Sequence, residues 1–134
     1  MSEYLLDADV LSFVLRGHSA TLARFRTAAR GGDRILISPL AYFEVRRGLL
    51  RAPASSLLRD LHVLAEELGV ASIDRPALDQ AADLWSRLAD TGALIEDADL
   101  LTAAIAVVNG FTLITHNVLH FARVPGLQIE DWVA

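Results

Sequence analysis

The amino-acid sequence predicts an α/β fold in which helices cover both faces of a parallel sheet with short strands. Short apolar runs alternate with longer segments of helical periodicity, which is typical of parallel strands joined by helical crossovers. The chain has 134 residues, is 53% hydrophobic and has a mean hydropathy of +0.37, so it can bury a sizeable core. A sheet covered on both faces accommodates this much apolar sequence. We expect residues 1–134 to form one domain.

Each predicted strand is a short apolar run bounded by turn or capping residues. The runs cover residues 4–6, 34–37, 111–115 and 127–129, with a further candidate at 70–73. Most predicted helices follow a capping residue or proline and end near a glycine. The helices cover residues 10–15, 19–30, 39–51, 57–68, 76–90, 100–108 and 117–121. Asp9 is expected to open the first helix, Ser38 and Pro39 the third, and Pro53 the fourth.

Two sets of apolar side chains are expected on defined helical surfaces. One inward-facing side of the long helix over residues 76–90 carries Leu78, Ala81, Leu84, Trp85 and Leu88. A second set, near Pro53, forms a candidate exposed hydrophobic surface for a protein partner and consists of Leu49, Leu50, Leu57, Leu58 and Leu61.

Composition and charge exclude several classes of protein. No apolar run reaches the roughly 18 residues of a membrane helix, and residues 1–3 carry an acid where a secretory leader needs basic residues. The chain contains no cysteine, which removes disulfides, thiolate metal sites and a cysteine nucleophile, and we expect a cytoplasmic protein. A net charge of −5 argues against broad electrostatic binding of nucleic acid, although it permits an acidic metal site rimmed by arginines.

Three carboxylates stand at or after the ends of predicted elements. Asp7 follows the first strand, at the sheet edge where ligands bind in open α/β folds. Glu44 lies in the helix after the second strand, and Asp99 precedes an almost wholly apolar helical segment. Asp97 and Asp99 also have an ordinary explanation, since an acid near a helix N-terminus contributes about 0.3–1 kcal/mol. Asp9 can likewise serve only as an N-cap.

Convergence of these acids requires a counter-charge. Two like charges about 4 Å apart repel by ~4 kcal/mol at an effective dielectric near 20. A divalent cation removes this repulsion, and an all-oxygen ligand set selects magnesium or manganese over zinc. Such a site binds phosphate oxygens and activates water for attack on a phosphodiester. The four histidines are too scattered in the sequence to indicate a zinc site.

Several sequence segments together resemble the PIN domain of VapC toxins. They are residues 5–12 (LLDADVLS), 43–48 (FEVRRG), 97–104 (DADLLTAA) and 112–117 (TLITHN), and residues 121–132 resemble that family's tail. The resemblance covers essentially the whole chain in the same order. It implies a PIN-like α/β/α sandwich with a mostly parallel sheet and a metal-dependent endoribonuclease activity. It also implies a cognate VapB-like antitoxin as partner and a homodimer.

Site residues are assigned by their positions in the matching motifs. The resemblance implies metal binding by Asp7, Glu44 and Asp99, with Asp97 as a companion acid. The implied ion is Mg²⁺, with Mn²⁺ as the second option. Supporting positions are Asp9, Thr115, Asn117 and His120. Three arginines near Glu44 are candidate contacts for RNA or antitoxin, or else form a solvated face: Arg46, Arg47 and Arg51.

Two positions depart from the family pattern. Ala8 stands where threonine is usual, which removes a hydroxyl from the edge of the site. His120 stands where many members have a fourth acid, and an imidazole nitrogen favours manganese over magnesium. The alternative for His120 is a surface residue that covers Phe121 and points to solvent.

Two other functions fit parts of the sequence. An apolar strand followed by Asp7 and Asp9 also begins haloacid-dehalogenase-type phosphatases, in which Asp7 would be the nucleophile and Asp9 the acid/base. That chemistry, like that of receiver domains, usually uses a lysine, and this chain has none. The other alternative is a non-catalytic PIN-like module that only binds antitoxin or RNA. Retention of all three principal acids argues against it.

Overall fold

In the part of the chain that the computed structural model describes, residues 2–52 and 56–134, four short strands form one parallel sheet. The strands are β1 (Glu3–Leu6), β2 (Arg34–Ile37), β3 (Thr112–Ile114) and β4 (Gln128–Glu130). Their spatial order is β2-β1-β3-β4, and each neighbouring pair is parallel. The predicted parallel sheet is therefore confirmed, and β1 lies inside it with a partner on each edge.

Helices connect the strands and cover the sheet. They are α1 (Ala8–Leu15), α2 (Ser19–Arg30), α3 (Pro39–Arg51), α4 (Leu57–Leu68), α5 (Arg75–Asp90), α6 (Asp97–Asn109) and α7 (Val118–Phe121). The predicted opening of α4 at Pro53 lies outside the described residues. Among the helices that are described, none has the length and apolar character needed to cross a membrane.

Side chains alternate between the two faces of the sheet, so each strand contributes to two cores. Leu5 and Leu113 pack with Leu84 on the face covered by α5 and α6. Leu6 and Ile37 point the other way and belong to clusters that include α1, α2, α3 and α4. Helices thus cover both faces, which confirms the predicted α/β/α sandwich.

The start of α1 differs from the sequence prediction. The helix begins at Ala8 rather than at Asp9, because Asp7 takes the extended N-cap conformation. The carbonyl of Asp7 accepts the Leu11 N–H at 2.9 Å and so closes the first turn. Asp7 therefore marks the end of β1 and the beginning of α1 at once.

Two further boundaries were predicted wrongly. α6 begins at Asp97 rather than at residue 100, so the acids before the apolar segment lie inside its first turn. The predicted strand at 70–73 is a single bridge between Val70 and Ile37. Because β2 ends at Ile37, the passing chain finds only one residue to pair with.

The predicted exposed surface near the start of α4 is only partly correct. Leu50 is 58% exposed, but Leu49 and Leu61 are buried in a core cluster with α1 and β2. Leu57 and Leu58 are half-buried against that cluster. These leucines therefore mainly fix α3 and α4 to the sheet, and most of the expected partner surface is core.

The inward face of α5 is narrower than predicted. Leu78 and Trp85 are about half exposed, at 51% and 48%. The buried stripe consists of Ala77, Ala81, Leu84 and Leu88, at positions one helical turn apart. α5 packs on α6 through this stripe, which shares a core cluster with the small buried alanines of α6.

Burial of Leu61 predicts its contribution to stability. Leu61→Ala should lower the free energy of unfolding by about 2–4 kcal/mol, because Leu61 is fully buried and truncation leaves a cavity. Leu50→Ala, at a mostly exposed position of α3, is the matched control and should change stability by less than about 0.5 kcal/mol. Urea denaturation of both variants measures the difference, and equal effects would contradict the assignment.

Candidate active site

One of the sequence-predicted acids, Asp7, lies directly at the carboxyl edge of the sheet. The chain leaves the sheet at Asp7 after β1, at Ser38 after β2 and at Thr115 after β3. Backbone bonds fix this edge, since the Asp7 N–H donates to the Ile114 carbonyl at 3.0 Å and the Ser38 N–H to the Leu6 carbonyl at 3.1 Å. Their side chains therefore start from neighbouring points of one rigid frame.

Asp7 is a buried carboxylate, with 9% of its surface exposed. The Thr115 hydroxyl donates to Asp7 Oδ2 at 2.9 Å, and the Asn117 N–H donates to that hydroxyl at 3.1 Å. Burial raises the pKa of Asp7 to about 7, with a further contribution from the charge of Asp9 and a smaller one from Asp99. The N–H of Ala8 and the Thr115 hydroxyl oppose the rise. The site thus holds a carboxyl group that resists ionisation at neutral pH.

Asp9 does more than a helix cap would. It is the second residue of α1, and its Oδ1 accepts the Val10 N–H at 2.7 Å. Its Oδ2 accepts the His116 N–H at 3.1 Å, which ties α1 to the loop after β3. Burial raises the pKa of Asp9, although both of these N–H groups oppose the rise.

Asp99 is paired with His120. The Oδ2 atom of Asp99 lies 2.9 Å from Nε2 of His120, and the His120 side chain is only 24% exposed. The imidazole also packs edge-on against Phe121, with 5.5 Å between ring centroids. The alternative of a solvent-pointing His120 is therefore incomplete, because the ring covers Phe121 and also contacts a site acid.

Glu44 joins the same electrostatic group from α3. Burial raises the pKa of Glu44, the charge of Asp99 raises it further, and the nearby Arg47 opposes the rise. Asp99 thus influences both Asp7 and Glu44. We call Asp7, Asp9, Glu44 and Asp99 the acid group, since each is linked through its charge to at least one other member.

Asp97 lies apart from the acid group. It is exposed at the first position of α6 and lines a shallow hollow with Ala82 and Trp85 of α5. Its role as a companion metal ligand stays a prediction. Asn117 occupies the N-cap position of α7, but its side chain makes no capping hydrogen bond.

The chemistry of the acid group fits a divalent cation, although its members do not surround a single point. All its donors are carboxylate oxygens, and the raised pKa values of Asp7, Asp9 and Glu44 indicate negative charge that the protein neutralises poorly. Within residues 2–52 and 56–134, however, no three His, Asp or Glu side chains lie close enough together to hold one ion.

A polar cleft of about 490 Å³ opens between α1 and α3 beside the acid group. Its charged and hydroxyl lining residues are Asp9, Ser12, Arg16, Glu44 and Arg47. Among the described residues, the lining includes Arg47 but not the other two candidate arginines, Arg46 and Arg51. Sequence reasoning missed Ser12 and Arg16, although a signal exists: they follow Asp9 at i+3 and i+7, on one face of α1.

A second feature missed from the sequence is a buried hydroxyl pair. Ser38 Oγ and Thr102 Oγ1 lie 2.9 Å apart, and both residues are fully or almost fully buried. Ser38 also accepts the Ala41 N–H, so it caps α3 while it contacts α6. The pair therefore joins the helix that carries Glu44 to the helix that carries Asp99. The available signal was a lone threonine in the apolar segment of α6.

Comparisons with known proteins agree with this geometry. The chain is 23% identical over 130 residues to ribonuclease VapC2 of Rickettsia felis, covering 96% of this chain and 97% of that protein. It is 26% identical over 136 residues to the tRNA(fMet)-specific endonuclease VapC of Salmonella typhimurium, covering 98% and 99%. The structure matches a chain of VapBC-1 from nontypeable Haemophilus influenzae with a TM-score of 0.86 and 25% identity, covering 98% and 99%. A sequence model of the PIN domain matches residues 4–127, and the chain belongs to the PIN domain family.

Proposed function

We propose that this chain is a metal-dependent endoribonuclease and the toxin of a VapBC-type type II toxin–antitoxin system. The observation that carries the proposal is the acid group at the carboxyl edge of the sheet, in a chain of the PIN family. Relatives that match almost the whole chain are named VapC ribonucleases. We take residues 1–134 to be a single PIN domain, since the family match spans nearly all of them.

The proposed partners are an RNA substrate, a cognate VapB-like antitoxin and a second copy of the chain. The antitoxin assignment is supported by the likeness to a VapBC complex at 25% identity. The haloacid-dehalogenase alternative lacks support, because the matching family is the PIN domain. The non-catalytic alternative is opposed by retention of Asp7, Glu44 and Asp99 in one electrostatic group.

We assign Mg²⁺ as the cofactor, with Mn²⁺ as the second option, held by Asp7, Glu44 and Asp99 with Asp97 as a companion acid. When bound, such an ion neutralises charge on a phosphodiester and makes a bound water more acidic. Thr115 orients Asp7 through its 2.9 Å hydrogen bond, and Asn117 in turn orients the Thr115 hydroxyl through its backbone N–H. His120 orients Asp99 in the same way from α7.

Removal of charge from any principal acid should abolish cleavage. Asp7→Asn, Glu44→Gln and Asp99→Asn each preserve shape while removing a negative charge, so we expect at least a 100-fold loss of RNA cleavage with an intact fold. Asp83→Asn, at an exposed position of α5, is the matched control and should cleave like the unmutated protein. Cleavage of single-stranded RNA in excess Mg²⁺, with circular dichroism for the fold, measures both. Normal turnover in one variant would remove that residue from the site.

Asp7 should make the metal-free protein less stable as pH rises. Its pKa is about 7 in the folded protein and 3.8 in the reference state, so the folded state retains a proton that the unfolded state loses. The contribution of Asp7 to the free energy of unfolding should therefore be largest below about pH 4. It should decrease by as much as ~4 kcal/mol as the pH rises to about 7. Asp7→Asn should weaken this dependence and be the more stable protein at pH 8.

Urea denaturation at pH 5 and pH 8, with and without Mg²⁺, measures the effect of Asp7. Mg²⁺ should stabilise the unmutated protein at pH 8 because it neutralises the ionised carboxylates, and it should stabilise Asp7→Asn much less. Parallel pH profiles for the two proteins would contradict the assignment.

His120 should set the metal preference. An imidazole beside Asp99 replaces an oxygen donor with nitrogen, which manganese accepts more readily than magnesium. We expect cleavage to be several-fold faster in Mn²⁺ than in Mg²⁺, and His120→Asp to shift the preference towards Mg²⁺. The measurement is the ratio of initial rates in the two metals. Identical ratios for the two proteins would exclude this role of His120.

A further inference from the structure

An exposed aromatic–arginine pair lies on α3 next to the acid group. The Phe43 side chain is 57% exposed. The guanidinium carbon of Arg47 lies 5.0 Å from the centroid of that ring, within the range of a cation–π contact. The two side chains therefore form a partly ordered, flat and accessible surface, which we call the Phe43–Arg47 platform.

The platform is continuous with the active-site cleft. Phe43 directly precedes Glu44, and Arg47 follows Glu44 by three residues on the same helix. Arg47 also lines the cleft together with Asp9 and Glu44, and its charge acts on the Glu44 carboxylate. A molecule lying on the platform would therefore meet the acid group within one helical turn.

A second arginine faces the same cleft from α1. Arg16 lines the cleft, and its Nε donates to Ser12 Oγ at 3.3 Å, which holds the side chain along the helix. Arg16 and Arg47 provide two guanidinium groups beside the carboxylates of Asp9 and Glu44. Guanidinium groups bind phosphate oxygens in a planar, two-pronged geometry. The cleft thus combines carboxylates that suit a metal cation with guanidinium groups that suit a phosphodiester.

We propose that the Phe43–Arg47 platform stacks one unpaired base of the substrate, while Arg16 and Arg47 bind the phosphate beside it. The inference rests on the proposed ribonuclease function and names the residues that would hold the base and the phosphate next to the cleaved bond. Bases in a loop or single strand stack on aromatic rings and on arginine planes. Bases inside a duplex are already stacked and paired, so they cannot reach the platform.

An RNA occupant is favoured over a protein partner by the composition of the surroundings. The platform adjoins a polar, charged cleft rather than an apolar groove, and two arginines offset two acids within it. A phosphate next to a base matches an arginine next to an aromatic ring. A protein interface at this position is the competing outcome, and the experiment distinguishes it.

The test measures binding and cleavage of one RNA by variants of the platform. The probe is a fluorescein-labelled 12-nucleotide single-stranded RNA, used alone and annealed to its complement. Phe43→Ala should weaken single-strand binding 5- to 50-fold, as expected for loss of one base–aromatic stack, and should raise KM more than it lowers kcat. Arg47→Ala should weaken binding at least as much, and Arg47→Lys should recover only part of the loss because lysine lacks the planar group. Phe43→Ala should not alter the weaker binding of the duplex by more than about twofold, whereas the Arg47 variants should weaken it as well, because a duplex also presents phosphates.

Matched controls use surface residues elsewhere. Trp85→Ala removes a half-exposed aromatic ring of α5, and Arg75→Ala removes an exposed arginine at the start of α5. Both should bind and cleave the single strand like the unmutated protein. A probe with an abasic nucleotide at each position in turn provides the reverse test. At one position the abasic RNA should bind weakly to the unmutated protein, with no further loss in Phe43→Ala.

The outcomes distinguish a failure of the base-stacking subsite from a failure of the proposed ribonuclease function. If the unmutated protein cleaves no RNA with Mg²⁺ or Mn²⁺, the proposed function fails. If it cleaves normally and Phe43→Ala binds and cleaves the single strand equally well, the base-stacking subsite is wrong while the ribonuclease stands. Loss of self-association or antitoxin binding in Phe43→Ala, with unchanged RNA binding, would overturn the subsite and identify the platform as a protein interface.

Discussion

Burial of a carboxylate at the end of an interior strand is the constraint on which the site depends. β1 lies between β2 and β3, so Asp7 leaves the sheet with neighbouring chain on both sides. Burial and the charge of Asp9 raise the pKa of Asp7 to about 7. The fold tolerates this unfavourable position because Thr115 and the α1 backbone hydrogen-bond the group, but they do not neutralise it. The proposed cation would supply the missing charge, so the same feature that lowers the stability of the metal-free protein would provide affinity for metal.

The two helices that carry Glu44 and Asp99 are fixed to each other by contacts outside the acid group. α6 is lined with small buried residues, Ala103, Ala104 and Ala106, and so packs closely between α5 and the sheet. The Ser38–Thr102 hydroxyl pair then joins α6 to the first turn of α3. The helices that carry Asp99 and Glu44 therefore have little freedom to move apart, although the charges of these two residues repel.

The sequence predicted the sheet and the position of Asp7 at its edge, because both depend on local patterns. The short apolar run before Asp7 predicts the end of a strand from the local sequence alone. Asp97 shows the limit of such reasoning, since it is two residues from Asp99 yet lies beside Trp85, about 200° around the helix. Leu61 was misjudged for a related reason, because burial depends on which helix packs opposite it. Arg16 was missed because Glu44 and Arg47, which line the same cleft, lie on another helix, α3, far along the chain.

The negative net charge of the chain limits how it could bind RNA. The chain carries a net charge of −5, and its acid group adds a local repulsion for any polyanion. On the proposed function, affinity for RNA therefore does not come from a broad basic surface, as it does in many nucleic-acid-binding proteins. It must come from a few positioned groups, and lysine plays no part because the chain contains none. Arginine can supply such a group, because one guanidinium both stacks on an aromatic ring and pairs with a phosphate. With the proposed base-stacking subsite, selectivity would depend on whether a base is free to stack, and therefore more on the structure of the RNA than on its sequence.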